Sequence, residues 1–292
     1  MPTIQLIGLD LDGTLLRPDG SVGPEEAQAL LACAEAGVRV VPSTGRGWHE
    51  AAPALAQLPH LELGVFATGG TVARLADGEV LDAVHFEPTL AADLIDRLSP
   101  LPDALLAFSV RGWTGFDYTV LNGRPPTPQS DWWFKHTRAR LRRVDGHGGL
   151  SSADLASLVR LSVVSRGRDL DPLVDTLRDD LGDRIEVHAF GGVESVDDTG
   201  SDTGVRILEV FPSGTHKWRG LAVVADHYGI AHDAVAAVGD EINDLPALRH
   251  AALSVAMGNA IPAVKAAADY VVQDNTQAGA AEALRWILEA SS

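Results

Sequence analysis

A short apolar run with β-branched residues, Ile4 to Leu9, stops abruptly at charged and glycine-containing sequence and predicts a buried strand. From Pro24 to Ala36 the apolar positions take helical spacing, with Pro24 and two glutamates in the first turn and Gly37 as the stop. A second apolar strand, Val38 to Val41, leads into Ser43-Thr44-Gly45-Arg46, and a helix over about 48–57 and a strand over 63–67 continue the alternation. The C-terminal part repeats the scheme, with helix 216–228, strand 234–238, helix 243–250, strand 252–256, helix 260–267, strand 270–272 and helix 277–289. Strand–helix–strand at this spacing predicts a parallel sheet with right-handed crossovers.

The middle has another rhythm. A helix over 89–98 and strand-like runs at 104–110 and 116–121 precede an irregular stretch rich in proline and tryptophan. Then come a strand over 159–165, a helix over 169–181 and strands at 184–190 and 205–210, the last two joined by a polar turn whose acidic part, 197–202, reads as a solvated hairpin loop. The organisation predicted is α/β: a Rossmann-like, doubly wound parallel-sheet core over 1–82 and 212–292, interrupted by an α+β domain over 83–211. A length of 292 residues suits two domains at about 150 residues each.

Composition narrows the partners. Hydrophobic residues make up 46% of the chain, and 40 acidic against 23 basic residues give a formal charge of −17. Such a surface repels phosphate backbones and anionic lipid, which sets aside nucleic acid and membrane. No apolar run approaches the ~20 residues of a membrane span, and the start, MPTIQLIGLDLDGT, has no basic leader or cleavage site, so a cytoplasmic monomer or homodimer is expected. The lone cysteine, Cys33, excludes an internal disulfide and reads as part of a buried helix face. The basic residues are twenty arginines and only three lysines, Lys135, Lys217 and Lys265, which singles the lysines out.

Four segments fall at predicted C-terminal ends of strands, the edge where an open parallel sheet binds ligands. In Asp10-Leu11-Asp12-Gly13-Thr14, positions i and i+2 of a strand point the same way, so two carboxylates can converge; alone, the pair reads equally as a polar loop. Ser43-Thr44-Gly45-Arg46 offers a hydroxyl and backbone N–H groups to an anion, and the same residues would serve as a helix N-cap. Lys217 sits early in a helix, where the macrodipole disfavours a cation, so it is either a surface residue or held there by something else. Gly239-Asp240-Glu241-Ile242-Asn243-Asp244 follows an apolar strand; its acids suit a helix start and also form a hard oxygen cluster suited to Mg²⁺.

Together, DLDGTLL, STGR, Lys217 and GDEIND resemble, in order and spacing, the motifs of the haloacid dehalogenase superfamily. Gly258-Asn259-Ala260 and the C-terminal DNTQAGAAEAL resemble its Cof-type sugar-phosphatase branch, in which an α/β cap lies between the second and third motifs (type IIB). The resemblance implies a Mg²⁺-dependent phosphatase of a small phosphorylated metabolite. In it Asp10 would be the nucleophile and Asp12 the general acid and base. Mg²⁺ would be held by Asp10, the Asp12 carbonyl and Asp240, with Asp244 direct or through water. Thr44, Gly45, Arg46, Lys217 and Asn243 would hold the transferring group. Mannosyl-phosphoglycerate and sucrose-phosphate phosphatases and phosphomannomutase share this core, and a non-catalytic binding or regulatory module is the alternative outside enzymology.

Two positions depart from the branch. Its Asn-Gly pair after the third strand is here Thr68-Gly69-Gly70, with Gly69 taken to stand for the asparagine, and Trp218 follows the lysine where glycine is usual. Trp218 is expected to narrow the approach to the phosphate or to pack against the cap. In the cap, Trp113, Trp132, Trp133, Lys135, His136, Arg138, Arg140 and Arg142 are candidates for leaving-group contacts, or else an amphipathic segment whose aromatics seal the cap core while its arginines are solvated. His188 and His216 are equally open between structural and chemical roles.

Overall fold

The computed structural model describes residues 3–58, 60–166, 170–191 and 205–291, so the acidic turn at 197–202 lies outside the described residues. The chain divides into two compact units, one of Met1–Ala83 with His216–Ser292 and the other of Val84–Thr215.

In chain order the strands are β1 (Leu6–Leu9), β2 (Arg39–Pro42), β3 (Leu63–Phe66), β4 (Thr71–Arg74), β5 (Val80–Ala83), β6 (Leu105–Ser109), β7 (Tyr118–Val120), β8 (Leu141–Arg143), β9 (Leu158–Arg166), β10 (Ile185–Gly191), β11 (Val205–Pro212), β12 (Val235–Gly239), β13 (Leu253–Ala256) and β14 (Tyr270–Val271). The first unit carries a five-stranded sheet in the order β14-β13-β12-β1-β2, every pairing parallel. β1 is buried along its whole length, as a central parallel strand must be, which is why LIGL is an uninterrupted apolar run. The helices Pro24–Glu35 and Gly279–Ala290 pack on one another, as do Lys217–Tyr228 and Leu245–His250, and both pairs bury apolar stripes with the sheet: Leu30, Cys33, Leu284 and Ile287 from the first, Leu221, Val224, Leu245 and Leu248 from the second.

β3 continues the sheet only through a parallel bridge, Ser43 to Val65, and then turns into an antiparallel sheet β3-β4-β5 that the hydrophobic pattern did not predict. Its β4–β5 hairpin turns through Asp77-Gly78, a strong turn signal, but β5 is half exposed and too short for its alternation to register.

The second unit is a six-stranded sheet, order β10-β11-β9-β6-β7-β8, antiparallel except where β7 pairs with β8. The helices Pro88–Leu98 and Asp171–Leu181 bury Leu94, Leu98, Val174 and Leu177 with Leu161, Val163, Leu208 and Val210 of the sheet. The stretch expected to be irregular contains the helix Pro128–Thr137, begun by Pro128 and capped by the Thr127 hydroxyl, which accepts from the Ser130 N–H. Its buried residues are Ser130, Phe134 and Thr137, a helical face with a single apolar member, so hydrophobic periodicity could not reveal it. Among the described residues no helix is long and apolar enough to cross a membrane.

Candidate active site

The C-terminal edge of the parallel sheet gathers the candidate residues because the strands carrying them are adjacent. Asp10 leaves β1 with its N–H donating to Val238 O (3.1 Å), Ser43 leaves β2 donating to Leu9 O (2.8 Å), and Met257 leaves β13 donating to Gly239 O (3.1 Å). Thr44 N–H donates to Val65 O (2.9 Å) and its carbonyl accepts from Thr68 N–H (3.0 Å), which ties the second motif to the turn after β3.

At the centre lies Lys217, 1% exposed, the first residue of the helix Lys217–Tyr228. Its Nζ donates to Asp10 Oδ1 and to Asp244 Oδ1, both at 2.6 Å. This accounts for a lysine in the first helical turn: two carboxylates outweigh the macrodipole. The helix start is itself capped by His216, whose Nδ1 accepts from Arg219 N–H at 3.0 Å, so His216 has a structural role. The other Asp244 oxygen accepts from the N–H groups of Asp240 and Glu241, 3.0 Å each, and so holds the turn that carries Asp240. Asp10, Asp240 and Asp244 place one carboxylate oxygen each within 4.8 Å of one another.

The electrostatics are those of crowded acids. Burial pushes the Asp10 carboxyl well above the ordinary range, with Asp244 and Asp240 adding to it and Lys217 opposing it. Burial and Asp244 push Asp240 up to about 6. For Lys217 burial disfavours the ammonium, but Asp10 and Asp244 outweigh it and hold its pKa above that of an ordinary lysine. Three carboxylates around one ammonium are a hard oxygen donor set left with excess negative charge, which fits a divalent cation.

Asp12 lies apart from this cluster. Its side chain is half exposed and is held bidentately by Arg46, Nε to Oδ2 at 2.7 Å and Nη2 to Oδ1. Arg46, expected among the substrate-binding residues, thus engages the candidate acid in this structure. Thr44 is buried and its Oγ1 accepts from Arg46 N–H at 3.2 Å, a local turn; the helix Trp48–Leu55 is capped not by Thr44 but at Gly47, whose N–H donates to Glu50 at 2.6 Å. Asn243 borders the site with its Oδ1 buried and without a hydrogen-bond partner.

Three residues that the motif reading left without roles belong here. Thr14 Oγ1 donates to Asp240 Oδ1 at 2.9 Å. Asn259 Nδ2 donates to Gly13 O at 2.8 Å and reaches Asp240 Oδ2 at 3.4 Å. Gly13 itself has φ +76, and a Cβ there would stand 2.3 Å from Asp240 Oδ2, so the loop after β1 closes on Asp240 only with glycine. Only the quoted strings DLDGT and Gly258-Asn259-Ala260 hinted at the first two; the contacts span 226 and 246 positions. The third is Thr68.

The turn after β3 requires glycine at position 69. Gly69 has φ +95, and a Cβ on it would lie 2.1 Å from the His216 carbonyl oxygen. Thr68, at φ 58 and fully buried, precedes it. Gly69→Ala is expected to lower stability by about 2 kcal/mol or more, through both the left-handed backbone and the displaced start of the Lys217 helix; denaturant melts of the two proteins measure it, and equal midpoints would contradict the packing.

The contacts of Trp218 are local. It stacks on His250 (centroids 5.6 Å, 18°) and meets His232 edge-on, all within the first unit. Of the cap candidates, Trp132 is exposed and stacked on His136 (4.9 Å), Trp113 is exposed beside His85, Lys135, Arg138 and Arg140 are exposed, and Trp133 is half-buried. Arg142 is spent on Thr119 Oγ1 (2.9 Å) and Asp154 (2.5 Å), and His188 packs on Phe211.

The family model for haloacid dehalogenase-like hydrolase matches residues 7–284. HMP-PP phosphatase of Enterobacter sp. (strain 638) is 27% identical over 259 residues, 88% of this chain and 85% of the relative. The 5-amino-6-(5-phospho-D-ribitylamino)uracil phosphatase YitU of Bacillus subtilis (strain 168) is 26% identical over 284 residues, 96% of each chain. Among solved structures, a sugar phosphatase of HAD subclass IIB superposes with a TM-score of 0.74 at 18% identity, covering 97% of this chain and 98% of the other, a likeness of fold.

Proposed function

Because this chain belongs to the haloacid dehalogenase-like hydrolases, we propose that it is a Mg²⁺-dependent phosphatase of a small phosphorylated metabolite, a sugar phosphate being the first class to test, working through an aspartyl-phosphate. The observation that carries the reading is the buried Asp10 carboxylate, fixed at 2.6 Å by Lys217 within a cluster of three acids at the C-terminal sheet edge.

In this mechanism an Asp10 oxygen attacks phosphorus as the bond to the leaving oxygen breaks, and Asp12 supplies that oxygen with its proton. A water then attacks the aspartyl-phosphate, Asp12 takes its proton, and phosphate leaves with Asp10 restored. Lys217 aims Asp10 and carries positive charge next to the transferring oxygens, where fixed electrostatics does most of the work. Arg46, which pairs with both Asp12 oxygens in this structure, would release Asp12 to take up the proton it donates and join Thr44, Gly45 and Asn243 in binding phosphoryl oxygens. Asp10, the Asp12 carbonyl and Asp240 would hold Mg²⁺, with Asp244 direct or through water; when bound, the ion offsets the charge of the acids and of the phosphoryl group. Thr14 and Asn259 keep Asp240 oriented for it.

The relatives compared above are named for unlike phosphorylated compounds, so the leaving group has to be found by experiment. Phosphate release from a panel of sugar phosphates, nucleotide-precursor phosphates and p-nitrophenyl phosphate is measured with Mg²⁺ and with EDTA. Mg²⁺-dependent release, lost in EDTA, is expected. Transfer that requires a sugar bisphosphate and frees little phosphate would replace hydrolysis with a mutase.

A further inference from the structure

Thr68 is a β-branched residue held in the left-handed region at φ 58, ψ 30, between Ala67 at φ 48 and Gly69 at φ 95. Each non-glycine residue there costs about 1 kcal/mol or more, and for a β-branched one the conformation is an outlier. The side chain is fully buried, yet its Oγ1 has no hydrogen-bond partner. A buried hydroxyl without a partner is a second cost. Packing explains neither, since a smaller residue would relieve the first and an apolar one the second.

The direction in which this hydroxyl faces supplies a reason. A side-chain carbon placed on Gly45 would stand 3.5 Å from Thr68 Oγ1 and 3.6 Å from Asn243 Nδ2. The space over Gly45, kept open by the absence of a side chain, is therefore flanked by a hydroxyl and an amide, and Asn243 also has its Oδ1 unpartnered. The candidate catalytic groups Thr44 and Lys217 are equally buried, so burial does not set Thr68 apart from them. Thr68 is locked to the second motif by its N–H, which donates to Thr44 O at 3.0 Å.

We propose that the Thr68 hydroxyl is a contact for a phosphoryl oxygen, donating across the space over Gly45 together with the Asn243 amide; this rests on the phosphatase reading and names a substrate contact within it. A neutral O–H and N–H₂ pair suits an anionic oxygen in a site already crowded with carboxylates.

Two pairs of proteins isolate the hydroxyl. Wild type and Thr68→Val have the same side-chain shape, and Thr68→Ser and Thr68→Ala differ only by the oxygen, which keeps the comparison available should the valine variant not fold. Binding of inorganic phosphate in Mg²⁺ buffer is measured by calorimetry alongside phosphate release. Losing one hydrogen bond to a charged oxygen should weaken phosphate binding and kcat/KM by about tenfold to a hundredfold in Thr68→Val and Thr68→Ala. Thr68→Ser should regain most of that loss, and thermal midpoints should not follow the affinities. Equal phosphate affinity with and without the hydroxyl, or no phosphate binding by the wild type, would overturn the contact. A wild type that binds phosphate through Thr68 but releases none from any ester would keep the contact and remove the phosphatase reading.

Discussion

Asp10→Asn is expected to lower turnover by about four orders of magnitude or more while the protein still folds. The amide has the shape of the carboxylate but no nucleophilic oxygen able to form and release an acyl phosphate. Its removal also relieves the site: burial and two neighbouring acids already push the Asp10 carboxyl upward, and Lys217 keeps its 2.6 Å bond to Asp244. The thermal midpoint without metal should therefore stay near that of the wild type. Steady-state phosphate release at saturating Mg²⁺, with a melt of the same preparation, tests both halves. Activity within about tenfold of wild type would remove Asp10 as the nucleophile.

Lys217→Ala should damage chemistry and stability together, and metal should separate the two. Losing a fixed cation beside the transferring group lowers kcat by about a hundredfold to a thousandfold. In EDTA the variant also leaves Asp10, Asp240 and Asp244 crowded within 4.8 Å without their ammonium, and breaking a buried ion pair from one side costs about 3–5 kcal/mol. Added Mg²⁺ should restore much of the melting temperature, because a divalent ion offsets the same carboxylates, but not the rate. A variant as stable as the wild type in EDTA would mean that the lysine does not hold the acids together.

These expectations rest on residues visible from the sequence in different degrees. Asp10 and Asp240 could be found because each directly follows a strand buried on both faces, and such strands read as unbroken apolar runs. Lys217 stood out by its rarity and by its unfavourable place at a helix start, though nothing local said that two acids compensate it. The bidentate hold of Arg46 on Asp12 joins two loops 34 positions apart, and no periodicity encodes such a contact. The Thr68-Gly69 turn is harder still. Its geometry lies in backbone angles and in the approach of Gly69 to His216, which residue type alone does not show. The helix Pro128–Thr137 and strand β5 escaped for a simpler reason, since neither presents more than a sliver of apolar surface.

The order of the strands also bears on how this protein is made. β1, which carries Asp10, is flanked by β2 on one side and by β12 on the other, and the Asp10–Lys217 bond joins positions 207 residues apart. On the ribosome the first 83 residues can form only one flank of β1 and must wait, with a sheet edge unpaired, while the whole second unit is synthesised. The second unit draws all its strands from one continuous stretch and meets no such delay. A translation product halted before β12 would therefore present a sticky edge and no assembled site, making the early core the part of this chain with most need of a chaperone.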